Sequence, residues 1–206
     1  MEKKRFFEEY VKPIIIAVLI ALFVRTFIVQ AFKIPSSSME PTLLVGDYLL
    51  VNKFIYGTRI PLTEKKILEI KKPQRGDIVV FIYPKDRSKD FIKRVIGEEG
   101  DKVEIIHNKI YINDRVIDDP WGYYSEKNPL ARFLPAMERY GPVVVPKDSL
   151  FVLGDNRDNS QDSRFWGFVS LNEVKGKAFI IYFSLDWPAK QLIEKVRWAR
   201  VGKLIH

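Results

Sequence analysis

One feature near the N-terminus constrains this chain more than any other. From Pro13 to Ala31 a single formal charge, Arg25, interrupts 19 residues that are otherwise uncharged and mostly apolar. As a helix rising ~1.5 Å per residue, that stretch reaches about 28 Å, close to the ~30 Å hydrocarbon core of a bilayer. Arg25 comes late in the run, where a long side chain can snorkel to the interface. Lys3, Lys4, Arg5 and Lys12 precede the run. By the positive-inside rule they keep residues 1–12 cytoplasmic, despite Glu2, Glu8 and Glu9, and place residues 32–206 outside. A cleavable leader is the competing reading, because Val29-Gln30-Ala31 fits a small-residue cleavage pattern. The run is long for a leader's apolar core and Arg25 interrupts it, so a retained anchor over 13–31 is expected.

The total of 206 residues leaves room for one domain behind such an anchor, not two. Its sequence is rich in strand signals. Asp47–Val51, Asp77–Tyr83, Val103–Ile106, Lys109–Ile112, Val143–Val145, Leu150–Leu153 and Ala178–Tyr182 are short, β-branched or aromatic, and bounded by turn formers. His107-Asn108 and Asn113-Asp114 read as turns. Strands this close together, with no long helices between them, predict a mostly antiparallel β fold. Residues 121–142 break the rhythm with aromatics, Pro and Gly, and read as an inserted loop or small cap. The stretch from Gln191 to Ile205 reads as a short basic amphipathic ending.

The chain has no cysteine, which removes disulfides, thiolate nucleophiles and thiolate metal sites. Its formal net charge is +8, and no zinc-finger or RNP-type motif accompanies it. Beside an anchor, that charge favours anionic lipid headgroups over nucleic acid. The G-x-S-x-G, S-x-x-K and H-E-x-x-H motifs are all missing. Only His107 and His206 are available for a Ser-His-Asp triad, and His107 falls in a hairpin turn.

Three segments stand apart from ordinary strand and turn sequence. Ile34-Pro35-Ser36-Ser37-Ser38-Met39-Glu40-Pro41-Thr42-Leu43 is a serine cluster between prolines, just beyond the anchor. By composition it is a linker, but its position puts stiffened serines at the membrane interface. Asp90-Phe91-Ile92-Lys93-Arg94-Val95 alternates so that Phe91, Lys93 and Val95 share one face. A lysine there is either a snorkelling surface residue or a desolvated amine. The segment 154–164, Gly-Asp-Asn-Arg-Asp-Asn-Ser-Gln-Asp-Ser-Arg, is dense in carboxylates and amides. No register gives an EF-hand; its plain reading is a polar loop of Asx-turns and Asp–Arg pairs.

These three segments, together with Arg75-Gly-Asp-Ile-Val-Val-Phe81, resemble the ordered boxes of bacterial type I signal peptidases. Four boxes in order behind one anchor make a specific match. The resemblance implies a coiled antiparallel β-sheet catalytic domain and a membrane-bound serine endopeptidase. Such an enzyme removes signal peptides after Ala-x-Ala-type sites, near the secretion translocon and without metal or cofactor. It implies Ser38 as nucleophile and Lys93 as general base. Ser36 would contribute a hydroxyl to the oxyanion hole and Ser160 would orient the lysine. Asp155, Asp162 and Arg164 would support the site, and Phe32, Ile34, Leu43 and Ile92 would line the small-residue pockets. Two positions depart from the family pattern: Ser37 stands where Gly is common, and Phe91 where Tyr is common.

Overall fold

In the computed structural model of the chain, the residues described are 6–59, 66–124, 139–186, 189 and 195–206. The apolar run forms part of helix α1, Phe7–Ile28, which is long and apolar enough to cross a membrane. From Lys12 to Phe23 its side chains lie exposed, as an element solvated by lipid requires, and its last turn, 26–28, is partly covered where it meets the body. This helix begins six residues before the expected Pro13 and ends before the expected Ala31. Val29 already belongs to strand β1, Val29–Lys33, because it finds a backbone partner at Asn52 of β2, Asp47–Asn52.

Among the described residues, the body of the chain is two antiparallel sheets and a small hairpin. The hairpin joins β3, Tyr56–Arg59, to β4, Lys66–Glu69. The large sheet adds β5 (Ile78–Ile82), β6 (Asp90–Gly97), β11 (Ser149–Leu153), β12 (Val169–Ser170) and β13 (Val174–Ser184). Its strand order is β1-β2-β13-β5-β6-β11-β12. The second sheet is β10-β7-β8-β9, with β7 Lys102–Ile106, β8 Lys109–Ile112, β9 Arg115–Val116 and β10 Arg139–Val144. The predicted turns at 107–108 and 113–114 connect β7, β8 and β9, and all four residues have positive φ. That conformation is tolerated best by Asn, Asp and His among non-glycines. Of the expected insertion 121–142, residues 125–138 lie outside the described residues, and 139–142 are strand rather than loop. Of the basic ending, 191–194 likewise lie outside.

Strand alternation divides the interior of the large sheet. Leu49, Val51, Ile78 and Val80 face one apolar cluster with Ile34, Met39, Leu43 and Ile181. Val79, Phe81, Val95 and Val152 face another with Tyr56 and Trp166. The central strands are thus buried on both sides and read as near-continuous hydrophobic runs. β6 lies between β5 and β11, so a charged side chain on it enters the interior.

Candidate active site

Lys93 lies in the middle of β6, in register with Val79 of β5. As the alternation predicts, Phe91 and Val95 share its side of the strand and pack with the second cluster. The Phe91 ring stacks on Tyr83, and Lys93 Nζ is 5.5 Å from the Phe91 centroid. Only 3% of Lys93 is exposed. Burial pushes its amine down to about 8, because desolvation disfavours the charged form. Asp162 and Asp155 oppose that fall, and Arg164 adds to it. Both carboxylates already face arginines, which leaves desolvation dominant.

The amine donates to Ser38 Oγ at 2.6 Å, across 55 residues of sequence. Ser38 is itself buried. Its turn follows β1 directly, anchored by Met39 and Leu43, which are fully buried in the first cluster. The polar loop 154–164 grips this turn. Asn156 donates its backbone N–H to the Ser38 carbonyl and its side-chain Nδ2 to the Ser37 carbonyl, each at 3.1 Å. Asn159 Nδ2 donates to Ser37 Oγ at 2.8 Å. Gly154 is needed where the loop meets the turn, since a Cβ there would lie 2.4 Å from the Ser38 carbonyl oxygen. Ser37 has no positive φ, so a side chain is accommodated where the family pattern often has Gly.

The expected supports occupy this neighbourhood, with one exception in contact. Ser36 Oγ is 3.5 Å from Ser38 Oγ. Asp155 is fully buried, paired through both oxygens with Arg94 (2.8 and 2.7 Å), and accepts from Thr42 Oγ1 at 2.6 Å. Asp162 caps the short helix α2, Ser163–Trp166, and pairs with Arg164. Arg164 in turn donates to the Arg157 carbonyl. Ser160 is buried, but its hydroxyl has no hydrogen-bond partner among the described residues. The lysine's bond goes to Ser38 instead. Ile34 and Leu43 are buried in the first cluster, with Phe32 and Ile92 packed against it. The four expected pocket residues therefore converge on one apolar body beside the serine turn.

Sequence reasoning missed Arg94, Asn156 and the buried Arg157–Asp119 pair. Arg94 is fully buried and lies 4.4 Å from the Trp121 ring. The signal for Arg94, Asn156 and Arg157 was their place inside the resembling boxes; Asp119 lies outside them and carried none. Among the described residues no group of three or more potential metal ligands assembles.

A hydrogen-bonded serine and a desolvated amine, both supported by neutralised carboxylates, define an arrangement suited to acyl transfer. Residues 7–183 match the family model described as signal peptidase, peptidase S26. A signal peptidase I of Pseudomonas fluorescens is 38% identical, over 98% of this chain and 81% of that protein. A signal peptidase I of Aquifex aeolicus is 37% identical, over 84% and 82%. A solved signal peptidase I from Enterococcus faecalis V583 is 34% identical, covering 52% of this chain and 97% of that one, with a TM-score of 0.41. The chain belongs to the signal peptidase family, peptidase S26. It is a membrane-anchored hydrolase of that family.

Proposed function

We propose that this chain removes N-terminal signal peptides from exported preproteins, cutting after small residues of Ala-x-Ala type through an acyl-enzyme on Ser38. The observation that carries this reading is the 2.6 Å bond between the buried Lys93 amine and Ser38 Oγ. With its amine at about 8, Lys93 is neutral in about one molecule in ten at pH 7, against roughly one in 2,500 for an ordinary lysine. The neutral amine takes the Ser38 proton as Oγ attacks the peptide carbonyl. The resulting ammonium protonates the departing amine, leaving the signal-peptide portion as an ester on Ser38. Water then attacks that ester, with Lys93 again taking the proton, and Ser38 is regenerated. The Ser36 hydroxyl and the Ser38 N–H are suited to hold the developing oxyanion. Asp155, Asp162 and Arg164 keep the surrounding charge matched.

Substrate choice follows from β1. Among the described residues it is an edge strand, paired with β2 alone, and it leads into the serine turn. An extended peptide can add to such an edge, its alternate side chains facing pockets. Phe32, Ile34, Leu43 and Ile92 form the apolar body that small side chains would meet. Ser38 lies ten residues beyond Ile28, the end of the anchor helix, so it stays within about 35 Å of the membrane boundary. Residues 1–12 lie in the cytoplasm and 32–206 outside the cell or inner membrane, close to the translocon and resting on phospholipid.

The test is cleavage of a purified preprotein in detergent by wild type, Ser38→Ala and Lys93→Met. Each variant is expected to lose about a thousandfold or more in turnover, as residues acting as a catalytic unit do. Near-wild-type turnover by either variant sinks the assignment.

A further inference from the structure

The passage from α1 to the sheet contains no linker. The helix ends at Ile28 and β1 begins at Val29. The last carbonyls of any helix lack partners within it, and at a membrane boundary such groups are costly to leave bare. Here one residue serves two of them. The backbone N–H of Lys53 donates to the Ile28 carbonyl at 2.9 Å. Its Nζ reaches back to the Thr26 carbonyl at 2.6 Å. A cation at a helix C-terminus is also favoured by the helix dipole.

Lys53 is the first residue after β2, the strand that pairs with β1 from Val29↔Asn52 to Lys33↔Tyr48. The helix end is therefore tied to the sheet at three points: the covalent chain, the Lys53 backbone and the Lys53 side chain. The amine sits in a cleft lined by Ala21, Leu22, Ala31 and Leu50 as well as Arg25. Burial, and then the nearby Lys175 charge, lower its affinity for a proton. This marks a partly desolvated contact, where a hydrogen bond holds harder than at an open surface.

We propose that Lys53 is a positioning residue that locks the anchor to the catalytic domain and thereby sets the distance from the bilayer at which an inserted substrate is cut. The proposal rests on the signal-peptide reading above only for its functional consequence. With the exit angle fixed, the serine turn stands at one height over the membrane. Without the ammonium bond, the domain pivots at Ile28–Val29 and that height spreads.

The experiment uses the full chain in lipid nanodiscs. Because the chain has no cysteine, spin labels attach cleanly at Leu19→Cys on α1 and Val116→Cys on β9, both exposed positions. The label–label distance distribution is expected to be narrow with Lys53 present, broad in Lys53→Met and narrow again in Lys53→Arg. In parallel, kcat/KM is measured on a short soluble Ala-x-Ala peptide and on a bilayer-inserted preprotein. Lys53→Met is expected to match wild type on the soluble peptide and to fall about tenfold on the inserted one, a scale typical of small misplacements of reacting groups. It should also cut sites displaced along the inserted substrate that wild type rejects, and Lys53→Arg should restore selection. An unchanged distance distribution in Lys53→Met, or equal loss on both substrates, overturns the proposal. If the wild type cuts neither substrate, the signal-peptide reading falls, while the distance measurement still decides on the lock.

Discussion

A lysine in water holds its proton too firmly to activate a serine at neutral pH, and Lys93 departs from that rule because β6 carries it into an apolar interior. The sign of the effect on folding can be worked out. The folded value of about 8 lies below the ordinary 10.5, so between those pH values the unfolded chain holds more protons than the folded one. Stability therefore rises as pH climbs from about 8 to 10.5, and below 8 the buried amine costs about 3 kcal/mol. Replacing Lys93 with Met removes that cost. Urea denaturation at pH 7 is expected to find Lys93→Met at least as stable as wild type, with a flatter pH dependence above pH 8. Destabilisation by several kcal/mol would mean that the amine is not desolvated as described. Ser38 and Lys93 were legible as residues only through the joint pattern of anchor, prolines and boxes. Their 2.6 Å contact was not, because nothing local specifies a meeting across 55 positions.

At the scale of elements, the polar loop 154–164 and strand β6 cooperate through Arg94 and Asp155. Both side chains are fully buried, and the pair bonds through two parallel contacts. Removing one partner of such a pair leaves an uncompensated buried charge. Arg94→Met is expected to lower stability by about 3–5 kcal/mol, read from the shift of the urea midpoint. A change near zero would show that water reaches Asp155. Asn156 acts differently, on the carbonyls of Ser37 and Ser38. Asn156→Ala is expected to reduce kcat on a soluble peptide about tenfold or more, with KM little changed, since it loosens the turn that carries the proposed nucleophile and not the proposed pocket. A rise confined to KM would place Asn156 in substrate binding instead. The long strands were visible in the sequence because β-branched runs end at Gly, Pro, Asn or Asp. The hairpin of β3 and β4 was not, since Gly57 and short length blur its alternation. The start of β10 was hidden by Gly141 and Pro142, which resemble loop sequence.

For the whole molecule, the proposed function joins one helix long and apolar enough to cross a membrane to a site on the β-rich body. The charges before α1 and the exposed Trp198 fit a domain that rests on the outer face of the bilayer. Protease added to intact spheroplasts is expected to digest residues beyond the anchor and spare them in inverted vesicles; the reverse pattern would overturn the topology. Sequence alone conveyed this arrangement of anchor and β-rich body. The helix ends before Ala31, a boundary that hydropathy misses because it does not reveal that Val29 has a strand partner. The account as a whole turns on whether Lys93 is the base. Its most direct test is the pH dependence of kcat/KM for a soluble Ala-x-Ala peptide whose own groups do not titrate in the range. The rate should climb about tenfold per pH unit below an apparent value near 8, as a single essential deprotonation requires, and level off above it. A flat profile from pH 5 to 9 would contradict the account.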